Sequence, residues 1–122
     1  GQGERILSEE AADTTVAILE SVVTDGFLSK QLSIPGYRVA AKTGTAEVAE
    51  NGRYGGQRIV SLAGMAPADD PQFVVVVTLA RPDTMKTSAA AAPTFRSIMT
   101  QVLKTFRVPP STQPAQRLPL TW

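Results

Sequence analysis

The chain contains no cysteine and no histidine. Without cysteine it has no disulfide framework, no thiolate nucleophile and no Cys-based zinc site. Without histidine it lacks the commonest general base and metal ligand. Chemistry here has to run on lysine, carboxylate, hydroxyl or backbone groups. Cys-free chains occur in oxidising and reducing compartments alike, so the redox compartment stays open. An excess of either charge is also missing: 12 basic and 11 acidic residues leave a formal net charge of +1, and no Lys/Arg cluster breaks the even spread. That excludes a large electrostatic footprint for nucleic acid. No apolar run is long enough for a membrane span. The start, Gly1-Gln2-Gly3, carries no initiator Met, basic segment or apolar leader, and reads as the edge of a piece of something longer. What is present is 122 residues, 43% apolar and 19% charged. That is an ordinary globular composition, sufficient for one domain with a core and too short for two.

Hydrophobic periodicity divides the chain into a few elements. Residues 8–24 are expected to be helical. Ser8 can cap, Glu9 and Glu10 suit the positive end of the helix dipole, and Ala12, Val16, Leu19 and Val23 recur at helical spacing. Asp25-Gly26 supplies a stop. Residues 27–36 read as a loop closed by Pro35-Gly36. Tyr37 to Thr45 reads as a strand, and Glu47 to Gln57, with Asn51-Gly52 and Gly55-Gly56, as a turn-forming segment. Arg58 to Ala66 is a second strand, followed by a turn through Pro67 and Asp69-Asp70-Pro71. The Val-rich run Phe73 to Leu79 is expected to be a central strand buried on both faces. From about Ser88 the pattern is helical again, with Phe95, Ile98, Met99, Val102, Leu103 and Phe106 on one stripe and Pro93 in the first turn. Four of the nine prolines follow Val108, so residues 108–122 are expected to form an extended or disordered tail without a packed core of its own. The predicted architecture is α+β: an antiparallel sheet with flanking N- and C-terminal helices, over residues 1–107.

One string carries chemistry, Lys42-Thr43-Gly44-Thr45. On a strand, Lys42 and Gly44 point to one face, and Thr43 and Thr45 to the other. Gly44 removes a side chain, so another backbone or a ligand can come close. Lys42 supplies a cation beside that gap, and Thr45 a hydroxyl and a backbone N–H. Together they form an edge platform for an extended, anionic, peptide-like ligand held by strand addition and charge. Other candidates have plainer readings. Arg53 and Arg58 are expected to be solvated loop charges. Glu47 and Glu50 are placed on a loop with no paired carboxylate at a defined spacing. Tyr37 and Tyr54 are given core or turn roles rather than glycan stacking. Asp69-Asp70 is turn chemistry, one pair being too few ligands for a metal. No phosphate-binding glycine loop occurs.

The stretch Pro35-Gly36-Tyr37-Arg38-Val39-Ala40-Ala41-Lys42-Thr43-Gly44-Thr45-Ala46 resembles the third signature motif of penicillin-binding proteins and serine β-lactamases, Lys-Thr-Gly. Val22 to Gly26 resembles the end of a preceding helix in that family, Ser61 to Pro67 its following strand, and Ala91 to Met99 its closing helix. The resemblance covers roughly residues 8–106 and is nearest to class B penicillin-binding proteins of the division type. It implies a serine D,D-transpeptidase that cross-links peptidoglycan through D-Ala-D-Ala stem peptides and is a β-lactam target, serving cell division or elongation and hence cell wall and cell shape. Carried over by position, Lys42 supports the proton shuttle and attracts the substrate carboxylate. Thr45 binds that carboxylate through its hydroxyl and offers its N–H to the oxyanion. Gly44 permits close approach of the ligand, and Thr43 helps hold the motif. No cofactor or metal is implied. The implied partners are stem peptides, β-lactams, the upstream part of the same protein and other division or elongation proteins. The implied location is the extracytoplasmic face of the cell membrane, with the anchor outside this chain.

The chain departs from the family pattern in one large respect. No Ser is followed three residues on by Lys, and the single Asn, Asn51, is not part of a Ser-x-Asn. The nucleophile and its activating lysine lie upstream in the family, so this chain is expected to be inactive alone. Two alternatives stand beside the transpeptidase: a β-lactamase or β-lactam-sensor domain of the same fold, and a non-enzymatic binding or scaffold module that uses the strand edge and the proline-rich tail.

Overall fold

The computed structural model describes residues 3–83, 85, 87–115 and 118. Helix α1 spans Glu9–Thr24 and begins where expected. Ser8 accepts the Ala11 N–H at 3.1 Å, Glu9 and Glu10 occupy the first turn, and Asp25 closes the helix by donating its N–H to the Ser21 carbonyl. A second, four-residue helix α2, Ser29–Leu32, lies in the segment expected to be a loop. The reason is burial: Leu28 and Leu32, four residues apart, both enter the core, and a helical turn puts them on one side.

Three antiparallel strands follow, β1 (Ala40–Glu50), β2 (Arg53–Ala66) and β3 (Phe73–Ala80), in the order β1-β2-β3. β1 and β2 form a long hairpin through Asn51-Gly52, both with positive φ, as a tight primed turn requires. The hairpin is longer than its glycines suggest. Glu47 to Glu50 stay in β1, and Gly55-Gly56 lie inside β2, with a register irregularity between Glu47 and Ala49 absorbing the mismatch.

The Val-rich strand is not central. β3 pairs only with β2 among the described residues, and its burial alternates: Val77 is buried, whereas Val74 and Val76 are 67% and 62% exposed. The continuous apolar run suggested cover on both faces, but the helices cover one. The central strand is β2, whose Val60, Leu62 and Ala66 are fully buried.

A 3-10 turn, Ser88–Ala91, leads into helix α3 (Ala92–Thr105), with a proline in its first turn. Phe95, Met99 and Leu103 form its buried stripe, while Ile98 and Phe106 remain exposed, Phe106 resting on the Phe73 ring at 4.9 Å. Phe95 fits because β2 carries Gly64 opposite it: a Cβ there would stand 2.5 Å from Phe95 Cζ. Val23 of α1, Leu32 of α2 and the α3 stripe join Leu62 and Val77 in one buried cluster. The fold is α+β, with one face of the sheet covered by helices and the other bearing Lys42.

Candidate functional site

β1 is an outer strand, and among the described residues no strand pairs with its far edge. Unpaired N–H and C=O groups therefore line that side of Lys42–Thr45, ready for an extended ligand. The register fixes the faces. Thr43 and Thr45 lie opposite Leu62 and Val60, on the helix-covered side; Lys42 and Gly44 lie opposite Ala63 and Ser61, on the uncovered side. Thr43 and Gly44 are half-buried, and Lys42 and Thr45 are exposed.

Two contacts define the local chemistry. Lys42 Nζ donates to the carbonyl of Thr43 at 2.7 Å, which folds the ammonium back over the strand. Ser61 Oγ closes the hollow over Gly44; a Cβ at Gly44 would stand 2.8 Å from it. Gly44, Ser61 and Thr78 are successive register partners across the sheet, so a short polar row runs inward from the edge. Ser61 was not legible as a neighbour of the motif, because its partnership depends on hairpin register, which the misread turn obscured.

What positions this edge is a node at Arg38, four residues before Lys42. Its guanidinium grips Glu20 of α1 through two hydrogen bonds of 2.7 Å each, Nε to Oε1 and Nη2 to Oε2. Glu20 is fully buried. The Glu20 hydrogen bond raises the Arg38 pKa above its ordinary value, against the opposing effect of burial, and the charges of Glu20 and Asp69 add to the rise. The main chain of Arg38 is held as well: its carbonyl accepts the Ala68 N–H at 2.7 Å, and its N–H donates to Ser111 Oγ at 3.1 Å. Glu20 sits among the apolar positions of α1, and periodicity gave no sign of its burial.

The remaining candidates settle as follows. Glu47 and Glu50 are strand residues and not loop residues. Glu47 lies 3.8 Å from Arg58, its direct register partner, and Glu50 lies 3.1 Å from Arg81. Arg58 is accordingly a cross-strand charge and not a loop charge. The Tyr37 hydroxyl donates to the Val108 carbonyl at 2.7 Å, while Tyr54 is exposed. Asp69 accepts from the Ser111 hydroxyl at 2.8 Å. Among the described residues no group of three or more carboxylates is placed to hold a metal ion. A cation beside a side-chain-free stretch of open strand edge can bind an extended anionic ligand. For acyl transfer it would also need a nucleophile, and no hydrogen bond joins Lys42 to a hydroxyl among the described residues.

Comparison with known proteins bears on that gap. Residues 1–100 match the family model of the penicillin binding protein transpeptidase domain. The chain is 41% identical over 111 residues to peptidoglycan D,D-transpeptidase FtsI of Escherichia coli (strain K12), covering 88% of this chain and 19% of that protein. It superposes on the apo transpeptidase domain of Burkholderia pseudomallei penicillin-binding protein 3 with a TM-score of 0.79 and 34% identity, over 93% of this chain and 35% of that one. Penicillin-binding protein 3 of Mycobacterium tuberculosis, complexed with ampicillin, gives a TM-score of 0.75 at 29% identity, over 92% of this chain and 27% of that one. The chain belongs to the penicillin-binding protein transpeptidase domain family, and within it resembles the class B, FtsI-type members. It spans about a fifth of the length of FtsI.

Proposed function

We propose that this chain forms one wall of a serine D,D-transpeptidase site that cross-links peptidoglycan. The observation that carries the reading is the open β1 edge, where Lys42 and the hollow over Gly44 lie on the uncovered face of the sheet. The match to named D,D-transpeptidases supports the same reading.

In this reading a serine from the rest of the protein attacks the carbonyl of the penultimate D-Ala. A C–O bond forms, the peptide C–N bond breaks, and the terminal D-Ala leaves after its amine takes a proton. An amine of a second stem peptide then attacks the ester and releases the serine. The chain's own residues serve the binding end. Lys42 attracts the terminal carboxylate and supports proton transfer. Thr45, exposed although its register places it on the face opposite Lys42, reaches round the open β1 edge with its hydroxyl to that carboxylate, and its N–H serves the developing oxyanion. Gly44 lets the ligand main chain lie close to the strand, and Thr43 holds the motif from the covered side. A β-lactam, which imitates D-Ala-D-Ala, takes the same place, in line with the ampicillin complex of the M. tuberculosis relative. Residues 1–107 then belong to the transpeptidase domain, and residues 108–122 form its C-terminal tail. The protein works at the extracytoplasmic membrane face, among stem peptides and division or elongation proteins. No helix among the described residues is long and apolar enough to cross a membrane, so the reading places the anchor elsewhere in the protein.

The test is labelling with a fluorescent penicillin, followed by gel separation and intact mass. A protein carrying the complete domain takes up one covalent label, on a serine outside this chain, and the 122-residue chain alone stays unlabelled. A complete domain that binds neither β-lactam nor stem peptide would favour a non-enzymatic binding module, and rapid turnover of the label a β-lactamase.

A further inference from the structure

We propose that Ser111 is a positioning residue for the Lys42–Thr45 edge, acting through Arg38; this rests on the site reading given above. β1 lies at the edge of the sheet. It is held along its length by β2 on one side only, so its angle at the site depends on how its start is fixed. The segment after α3 turns back to that start. Val108 accepts the Tyr37 hydroxyl at 2.7 Å, and the Ser111 N–H donates to the Gly36 carbonyl at 2.9 Å. The Ser111 hydroxyl is used in both senses: it accepts the Arg38 N–H at 3.1 Å and donates to Asp69 Oδ1 at 2.8 Å. It therefore ties the residue leading into β1 to the β2–β3 turn, whose Ala68 N–H also bonds the Arg38 carbonyl. With Glu20 holding the guanidinium, Arg38 is fixed by α1, by the turn and by the tail together. A tail expected to be extended or disordered thus contributes one hydroxyl that completes the anchorage of the motif strand.

The experiment uses a protein carrying the complete domain, in wild-type, Ser111→Ala, Ser111→Thr and Asp69→Asn forms. Two readouts are taken: amide hydrogen exchange, and the second-order rate of acylation by penicillin. Ser111→Ala and Asp69→Asn are expected to speed exchange at Arg38 and at the β2-paired amides of Lys42–Thr45 by about tenfold, with the amides of Phe95–Leu103 unchanged. Acylation is expected to slow by about threefold to tenfold. Ser111→Thr, which keeps the hydroxyl, restores both. Unchanged exchange at Lys42–Thr45 would overturn the proposal, as would acceleration spread equally into α3, the mark of general destabilisation. A wild-type protein that is not acylated, while the exchange effect persists, would sink the transpeptidase reading and leave the anchoring role of Ser111 standing.

Discussion

Arg38 and Glu20 form a two-pronged ion pair across 18 residues of sequence, with both hydrogen bonds at 2.7 Å. The carboxylate has no exposure to solvent, and the guanidinium side chain has 18%. Taking two charges out of water is costly, and only a full set of hydrogen bonds offsets it. Removing one partner strands the other. Glu20→Ala or Arg38→Ala is therefore expected to destabilise by about 3–5 kcal/mol, whereas Glu20→Leu with Arg38→Met together costs much less. Urea unfolding of the single and double variants checks this; a loss in the double variant equal to the sum of the two single losses would show that the charges are not coupled.

The same pair makes a pH prediction. The folded-state pKa of Arg38 is raised, so its contribution is complete below the unfolded value and is lost only as pH rises through the higher folded one. That window lies above the working range. The coupling between Arg38 and Glu20, measured by a double-mutant cycle, should therefore hold constant from about pH 7 to about pH 10. A fall across that interval would mean that the raised value is wrong.

Two glycines with close neighbours should behave differently when given a methyl group. At Gly64 the new Cβ meets the Phe95 ring at 2.5 Å and the Ala40 carbonyl at 3.0 Å, neither of which can yield easily. Gly64→Ala should cost about 1–3 kcal/mol and be partly relieved by Phe95→Leu. At Gly44 the nearest atom is the Ser61 hydroxyl, the end of a rotatable side chain. Gly44→Ala should leave thermal unfolding within a few degrees of wild type and yet slow penicillin acylation by about tenfold or more, because the hollow is filled. The reverse pattern, lost stability with full acylation, would mean that Gly44 is there for packing.

The exposed pair Glu47–Arg58 should matter little. It spans 3.8 Å between half-exposed side chains, and a double-mutant cycle should give less than about 1 kcal/mol, falling further with added salt. A larger coupling would point to a rigid hairpin tip with a role of its own.

The sequence is a good guide where local rules act alone. The Ser8 cap, the Asn51-Gly52 turn, the start of α3 near Pro93 and the strand conformation of Lys42–Thr45 each depend on neighbours in the chain. The misreadings share a cause. Gly55-Gly56 has turn composition but lies in the irregularity of β2 between the Ala49–Tyr54 and Glu47–Arg58 pairs, and the pairing on either side keeps it inside the strand. Phe73 to Leu79 is continuously apolar, yet one of its faces is uncovered among the described residues. Glu20 and Ser111 look like ordinary polar residues until Arg38, distant from both in sequence, arrives between them. Tertiary contact gives each its role, and no local pattern encodes that contact.

The most direct test of the account is the rate of penicillin acylation in a protein carrying the complete domain, compared among wild type, Lys42→Ala and Thr45→Val. Both residues are exposed, so folding should be little affected. One covalent label is expected on wild type, and a loss of about a hundredfold or more in each variant, with unfolding midpoints unchanged. Variants acylated at the wild-type rate would remove the Lys42–Thr45 edge from the site.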